Sequence, residues 1–186
     1  TRFEVIEAGL NLCKKKAIIN STNADDEKLE KYLELAKKFD AKLIALTMDK
    51  DGIPRDRAKR TELALKIVSA AMEKGFQIEN LFIDPVVLPC NVAQAQGLEL
   101  LESIREFKLL CDPSPNTIVG LSNISQGMSQ RNLINRIFLV MAINCGLSAA
   151  IMDSLDKDLM DAMITTELLL NKNIYCDSYL TAYRKR

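Results

Sequence analysis

The sequence predicts an α/β fold assembled from successive β/α units, and three observations point to it. Five short apolar runs begin near Ala17, Lys42, Leu81, Thr117 and Ala149, and each is followed by a segment of helical periodicity. The runs are apolar on consecutive residues, as parallel strands are when helices cover them. Four of the runs end in a polar residue: Asn20 after Ile18-Ile19, Asp84 after Leu81-Phe82-Ile83, Asn123 after Gly120-Leu121-Ser122, and Asp153 after Ala150-Ile151-Met152. In parallel sheets and in (β/α)8 barrels the carboxyl ends of the strands share one face, so these distant side chains are predicted to meet there.

In chain order, Arg2 to Lys16 carries Phe3, Ile6, Leu10 and Cys13 at helical spacing and has no strand ahead of it. The first strand runs into Asn20-Ser21-Thr22-Asn23. A helix is predicted from Asp25 or Asp26 to about Phe39, with Leu29, Tyr32, Leu33, Leu35, Ala36 and Phe39 as its apolar stripe, Asn23 as its N-cap and acidic residues in its first turn. After the second strand, Asp49 to Arg60 is a loop rich in breakers and charge. Its Lys50, Arg55, Arg57, Lys59 and Arg60 make it basic, as a solvated face or a docking patch.

The next helix is predicted over Ala58 to Lys74, with Leu63, Ile67, Ala70 and Ala71 facing inward and Gly75 closing it in the left-handed conformation. Pro85 stops the third strand. Further helices are predicted over Gln96 to Leu110, Arg131 to Cys145 and Lys157 to Asn171, with a short tail helix near Tyr179. Phe138 to Met152 is the longest apolar stretch, but Asn144, Gly146 and Ser148 interrupt it. It is shorter than the ~20 residues of a membrane span and is predicted to be a buried helix, a turn and a strand.

Composition narrows the function. Lys plus Arg number 25 and Asp plus Glu also 25, so no global field draws in nucleic acid or an anionic membrane. The first residues lack a basic and apolar leader, which sets the cytoplasm as the expected compartment. Cysteines 13, 90, 111, 145 and 176 include no Cys-x-x-Cys pair and fit neither a disulfide framework nor a zinc site. The sequence contains no histidine, which removes Ser-His-Asp and Cys-His chemistry from this segment, and no glycine-rich phosphate loop is present. A pair of carboxylates, Asp84 and Asp153, is conceivable as a hydrolase. The neighbouring amides suit recognition of a flat, polar, neutral molecule better.

Judged separately, Asn20-Ser21-Thr22-Asn23 is turn and cap chemistry and Asp84-Pro85 is a terminated strand. Together with Gly120-Leu121-Ser122-Asn123-Ile124-Ser125-Gln126 they form ordered, spaced blocks. With Ala45-Leu46-Thr47-Met48, Gly52-Ile53-Pro54 and Tyr175-Cys176-Asp177-Ser178, the chain resembles the pterin-binding, folate-dependent corrinoid methyltransferases over nearly its whole length. Within them it is most similar to the methyltetrahydrofolate:corrinoid/iron-sulfur protein methyltransferases.

The resemblance implies a (β/α)8 TIM barrel of which residues 1–186 carry roughly the last five β/α units, as one pterin-binding domain. Three further strands would lie upstream, the third with a pterin-binding Asp. Five strands in 186 residues agree with a partial barrel, since a whole one has eight strands and about 250 residues. The implied reaction passes the N5 methyl of methyltetrahydrofolate to the Co(I) of a corrinoid (cobalamin) held by a partner, or the reverse. The implied partners are a corrinoid/iron-sulfur protein and a second copy in a homodimer.

By the same resemblance Asn20, Asp84, Ser122, Asn123, Gln126 and Arg131 bind the substrate, Asn123 is catalytic near N5, and Met48 packs on the ring. The chemistry agrees. A pterin's 2-amino-4-oxo edge presents adjacent N–H donors that a carboxylate accepts in pairs, and an amide both donates and accepts. Two rivals are a dihydropteroate synthase, whose pyrophosphate site Ile151-Met152-Asp153 does not offer, and a non-catalytic barrel subunit that scaffolds a corrinoid protein.

Overall fold

The computed structural model describes residues 2–172. Its elements run α1 (Phe3–Leu12), β1 (Ile18–Asn23), α2 (Asp26–Lys38), β2 (Lys42–Leu46), α3 (Arg57–Glu73), β3 (Leu81–Asp84), α4 (Cys90–Ala93), α5 (Gln96–Phe107), β4 (Asn116–Gly120), α6 (Arg131–Asn144), β5 (Ala149–Ile151) and α7 (Lys157–Leu169). The five strands are parallel and lie in sequence order, β1-β2-β3-β4-β5. A doubly wound sheet reverses its strand order at a switch point; this one does not. With crossovers of one hand, sequential order puts every helix on the same side, which is the arrangement of a barrel arc.

The two sheet faces confirm this sidedness. Leu43, Ala45, Leu81 and Ile83 pack with Leu33, Ile67 and other helix residues, and Val119 packs with Leu139 and Ile143 of α6. Alternate residues Ile44, Phe82 and Ile118 form a separate small cluster with Leu46 and Ala149 on the opposite, inner face. On the same face of the two outer strands, Ile18 and Ile151 are 53% and 50% exposed. Both lie on the two edge strands of the described arc, which have a neighbour on one side alone.

Local chemistry explains the element ends. Helix α3 closes with Gly75 at φ +62; the Gly75 amide donates to Met72 O and the Phe76 amide to Ala71 O, the double bond pattern of a left-handed glycine cap. Helix α6 closes the same way at Gly146, with Leu147 donating to Ala142 O. The N-cap of α2 is Asp25, not the predicted Asn23, because β1 continues through Asn23 and leaves it inside the sheet. The stretch from Phe138 to Met152 is the second half of α6, a turn and β5, and among the described residues no helix is long and apolar enough to cross a membrane. The expected tail helix, Cys176 and the block Tyr175 to Ser178 lie outside the described residues.

Candidate functional site

Strand β1 carries a bulge. Asn20 pairs with Ile44 and Thr22 with Ala45, so Ser21 is the extra residue, and the shift sets Asn23 beside Leu46. Leu46 in turn pairs with Asp84. Two rows therefore cross the inner face near its carboxyl end: Asn20, Ile44 and Phe82 below, and Asn23, Leu46 and Asp84 above. Asn20 is exposed, with its side chain toward the lumen. The Asn23 Nδ2 donates to Asp25 Oδ2 at 2.7 Å, while its Oδ1 is buried without a partner.

Asp84 sits in a turn fixed from three directions. Its carbonyl accepts from the Thr47 amide at 2.9 Å and from Thr47 Oγ1 at 3.2 Å. The next carbonyl, Pro85 O, accepts from Arg60 Nε at 2.9 Å. The Asp84 Oδ1 accepts from the Val86 amide at 2.8 Å, and Val86 has φ +64, a conformation that costs a β-branched residue about 1–3 kcal/mol. The surroundings must hold that geometry against the strain. Burial pushes the Asp84 carboxyl up from an ordinary 3.8 to about 6, with the Val86 bond opposing. Desolvation disfavours the charged form, and no cation stands among the causes to offset it.

Arg60 was the residue least legible in the sequence. Its charge and position group it with the basic loop, yet the residue is 0% exposed. It donates to Pro85 O and, through Nη2, to Gln96 Oε1 at 2.8 Å, and burial lowers its pKa. The signal was present: 60, 63, 64, 67 and 71 share one face of α3, and all five are buried. What remains of the loop is of mixed sign. Lys50 and Arg55 alternate with Asp49, Asp51 and Asp56, and Lys59 pairs with Glu62 at 2.6 Å.

The loop after β4 is built differently. Gly120 ends the strand, and a 3-10 turn spans Leu121–Ser125, so Asn123 stands on that turn and not at the strand end. Leu121, Ile124 and Ser125 face inward, and Ser122, Asn123 and Gln126 are exposed. Arg131, the first residue of α6, reaches back: its Nε donates to Ser125 Oγ at 3.2 Å and its Nη2 to Ser122 O at 3.3 Å. The Asn123 carbonyl accepts from the Gln126 amide at 3.2 Å, and the Asn123 side chain folds back over Gly120.

The predicted residues thus fall into two groups. Asn20, Asp84 and Asn123 lie at the carboxyl end of the inner face on β1, β3 and the turn after β4. Neighbouring strands are about 4.8 Å apart, so β1 and β3 are separated by about 10 Å and β3 and β4 by half that. Ser122 and Arg131 instead line a cleft of about 230 Å³ with Asn132, Asn135, Met152 and Asp153. Asp153 is exposed there and closes its own turn, accepting from the Leu155 amide at 2.9 Å. Met48, partly buried, holds the entry to α2 through its carbonyl, which accepts from Ala24 at 2.9 Å.

A carboxylate and two amides thus stand at the carboxyl end of a parallel arc, and comparison with known proteins bears on what they serve. The model of the family described as "Pterin binding enzyme" matches residues 1–153. The chain belongs to that family. Among its relatives is a methylcorrinoid:tetrahydrofolate methyltransferase of Eubacterium limosum, 32% identical over 187 residues that cover 98% of this chain and 68% of that protein. Methionine synthases of Mycobacterium leprae and Mycobacterium tuberculosis are each 31% identical over 163 residues, 81% of this chain but only 13% and 14% of theirs. The family is one of TIM barrels, and the sequential five-stranded arc is its partial barrel.

Proposed function

We propose that this chain forms the pterin-binding part of a methyltransferase that moves the N5 methyl of methyltetrahydrofolate to a corrinoid held by a partner protein, or back. The observation that carries the reading is the Asp84 turn, a desolvated carboxylate held on the inner face one strand from the Asn123 amide. A buried acceptor raised to about 6 favours a ligand that brings adjacent N–H donors. Asn20, lower in the lumen and two strands away, can donate and accept along the ring's other edge. In this reading the Asn123 amide polarises N5 without titrating, so the absence of histidine is no obstacle.

The corrinoid supplies the nucleophile, and this chain supplies position and polarity. The partner we assign is a corrinoid/iron-sulfur protein, on the strength of the ordered sequence blocks. Residues 1–186 act in this reading as one domain. Free cysteines 13, 90, 111 and 145 suit a reducing cytoplasm. A homodimer is part of the proposal, and the apolar groove of about 410 Å³ between α5 and α6, with exposed Leu98, Leu133 and Ile137, is its natural contact.

The test is a split of binding from chemistry in the full-length protein, by methyltetrahydrofolate titration and stopped-flow methyl transfer to the corrinoid partner. Asp84→Ala removes two charge-assisted acceptors of about 1.5–3 kcal/mol each, so affinity is expected to fall at least 100-fold. Asn123→Ala is expected to slow transfer about 10- to 100-fold and leave affinity within about threefold. Equal loss of both quantities in both variants contradicts these roles.

A further inference from the structure

Gly120 is the last residue of β4 and shares the inner face with Ile118, two positions before it. Its backbone lies at φ −79 and ψ 94, open to any L-residue, so conformation does not call for glycine. Space does. A Cβ built on Gly120 would stand 3.0 Å from Asn123 Nδ2 and 3.7 Å from Asn123 Cγ. The amide thus stands against the position of a Cβ at 120, closer than real Cβ contacts normally come.

Among the described residues no hydrogen bond holds the Asn123 side chain; only its carbonyl is engaged, by the Gln126 amide. Steric room is therefore what places the amide. We propose that Gly120 is a positioning residue: its missing side chain lets the Asn123 amide reach from an exposed turn into the lumen, beside the strand that carries Asp84. The kinetic consequence rests on the function proposed above. The steric claim does not.

Gly120→Ala in the full-length protein separates the two. The clashing atom is the end of a flexible side chain and the backbone accepts alanine, so the melting temperature is expected to stay within about 3 °C. The crystal structure of the variant should show the amide displaced from residue 120 by a few tenths of an ångström, and a misplacement of that size is expected to slow transfer about three- to tenfold. Methyltetrahydrofolate affinity should remain within about threefold. Added to Asn123→Ala, the change should have no further effect on rate, because it acts only through that amide.

An amide left in place, an unchanged rate, or an equal slowing in the Asn123→Ala background overturns the proposal. So does a matching loss of affinity in both backgrounds, which would mean that the new methyl meets the pterin directly. Should the wild-type protein fail to bind methyltetrahydrofolate, the functional reading falls, and the position of the amide in the variant structure still decides the steric claim.

Discussion

The turn after β3 and the turn after β4 stand side by side at the same rim, and they are held by opposite means. Asp84, Pro85 and Val86 are fixed by Thr47 just beyond the adjacent strand, by a wholly buried Arg60 from α3, and by a bond back to the carboxylate itself. Ser122 and Asn123 are exposed, and the turn that carries them is held at its surface by Arg131 and at its base by the apolar Leu121 and Ile124. The difference matches the roles proposed above for each side chain. A recognition carboxylate gains from being immobile and dry before the ligand arrives, since little remains to be ordered on binding. The amide needs only to be pointed, and an empty position at Gly120 is sufficient for that.

Breaking the more strongly held turn should have the largest effect. Arg60→Ala removes a fully buried side chain and leaves Pro85 O and Gln96 Oε1 without donors, so unfolding by denaturant is expected to show a loss of about 3–5 kcal/mol. A loss under about 1 kcal/mol would mean that the Asp84 turn does not depend on α3.

Asp84→Asn sharpens the same point in the other direction. The folded carboxyl titrates at about 6 against an ordinary 3.8, so the folded state keeps its proton to a higher pH than the unfolded chain. This group therefore supports the fold below about pH 3.8, and that support is lost as the pH rises through about 6. The amide variant, which keeps an acceptor for the Val86 amide, is expected to be more stable than wild type by about 1–3 kcal/mol at pH 7, with the gain fading toward pH 4. A gain independent of pH would place its origin elsewhere. Arg131→Ala, at the exposed turn, should cost less than about 1 kcal/mol, and a larger cost would erase the contrast between the two turns.

Much of this was legible in the sequence because the relevant signals are local. Helix spans followed from periodicity, and the left-handed end of α3 followed from Gly75. What escaped was set by contacts across the sheet. The bulge at Ser21, which carries β1 on to Asn23, depends on pairing with β2 and leaves no mark in Ile18-Ile19-Asn20. Val86 at positive φ is a choice no local preference makes; the buried bonds around it impose it. Arg60 was hidden by its charge, although its phase with Leu63, Ala64 and Ile67 marked it as buried. Gly120 carries no local signal of its own, since its meaning lies in where the side chain three residues later must go.

The central claim, that the raised carboxyl of Asp84 is the acceptor for a pterin, is tested most directly by methyltetrahydrofolate affinity as a function of pH, with Asp84→Asn as the baseline. The wild-type protein should bind with constant affinity above about pH 7 and lose it about tenfold per unit below about pH 6, while the variant binds weakly with no such fall. Wild-type affinity that runs parallel to the variant's across that range would contradict the account.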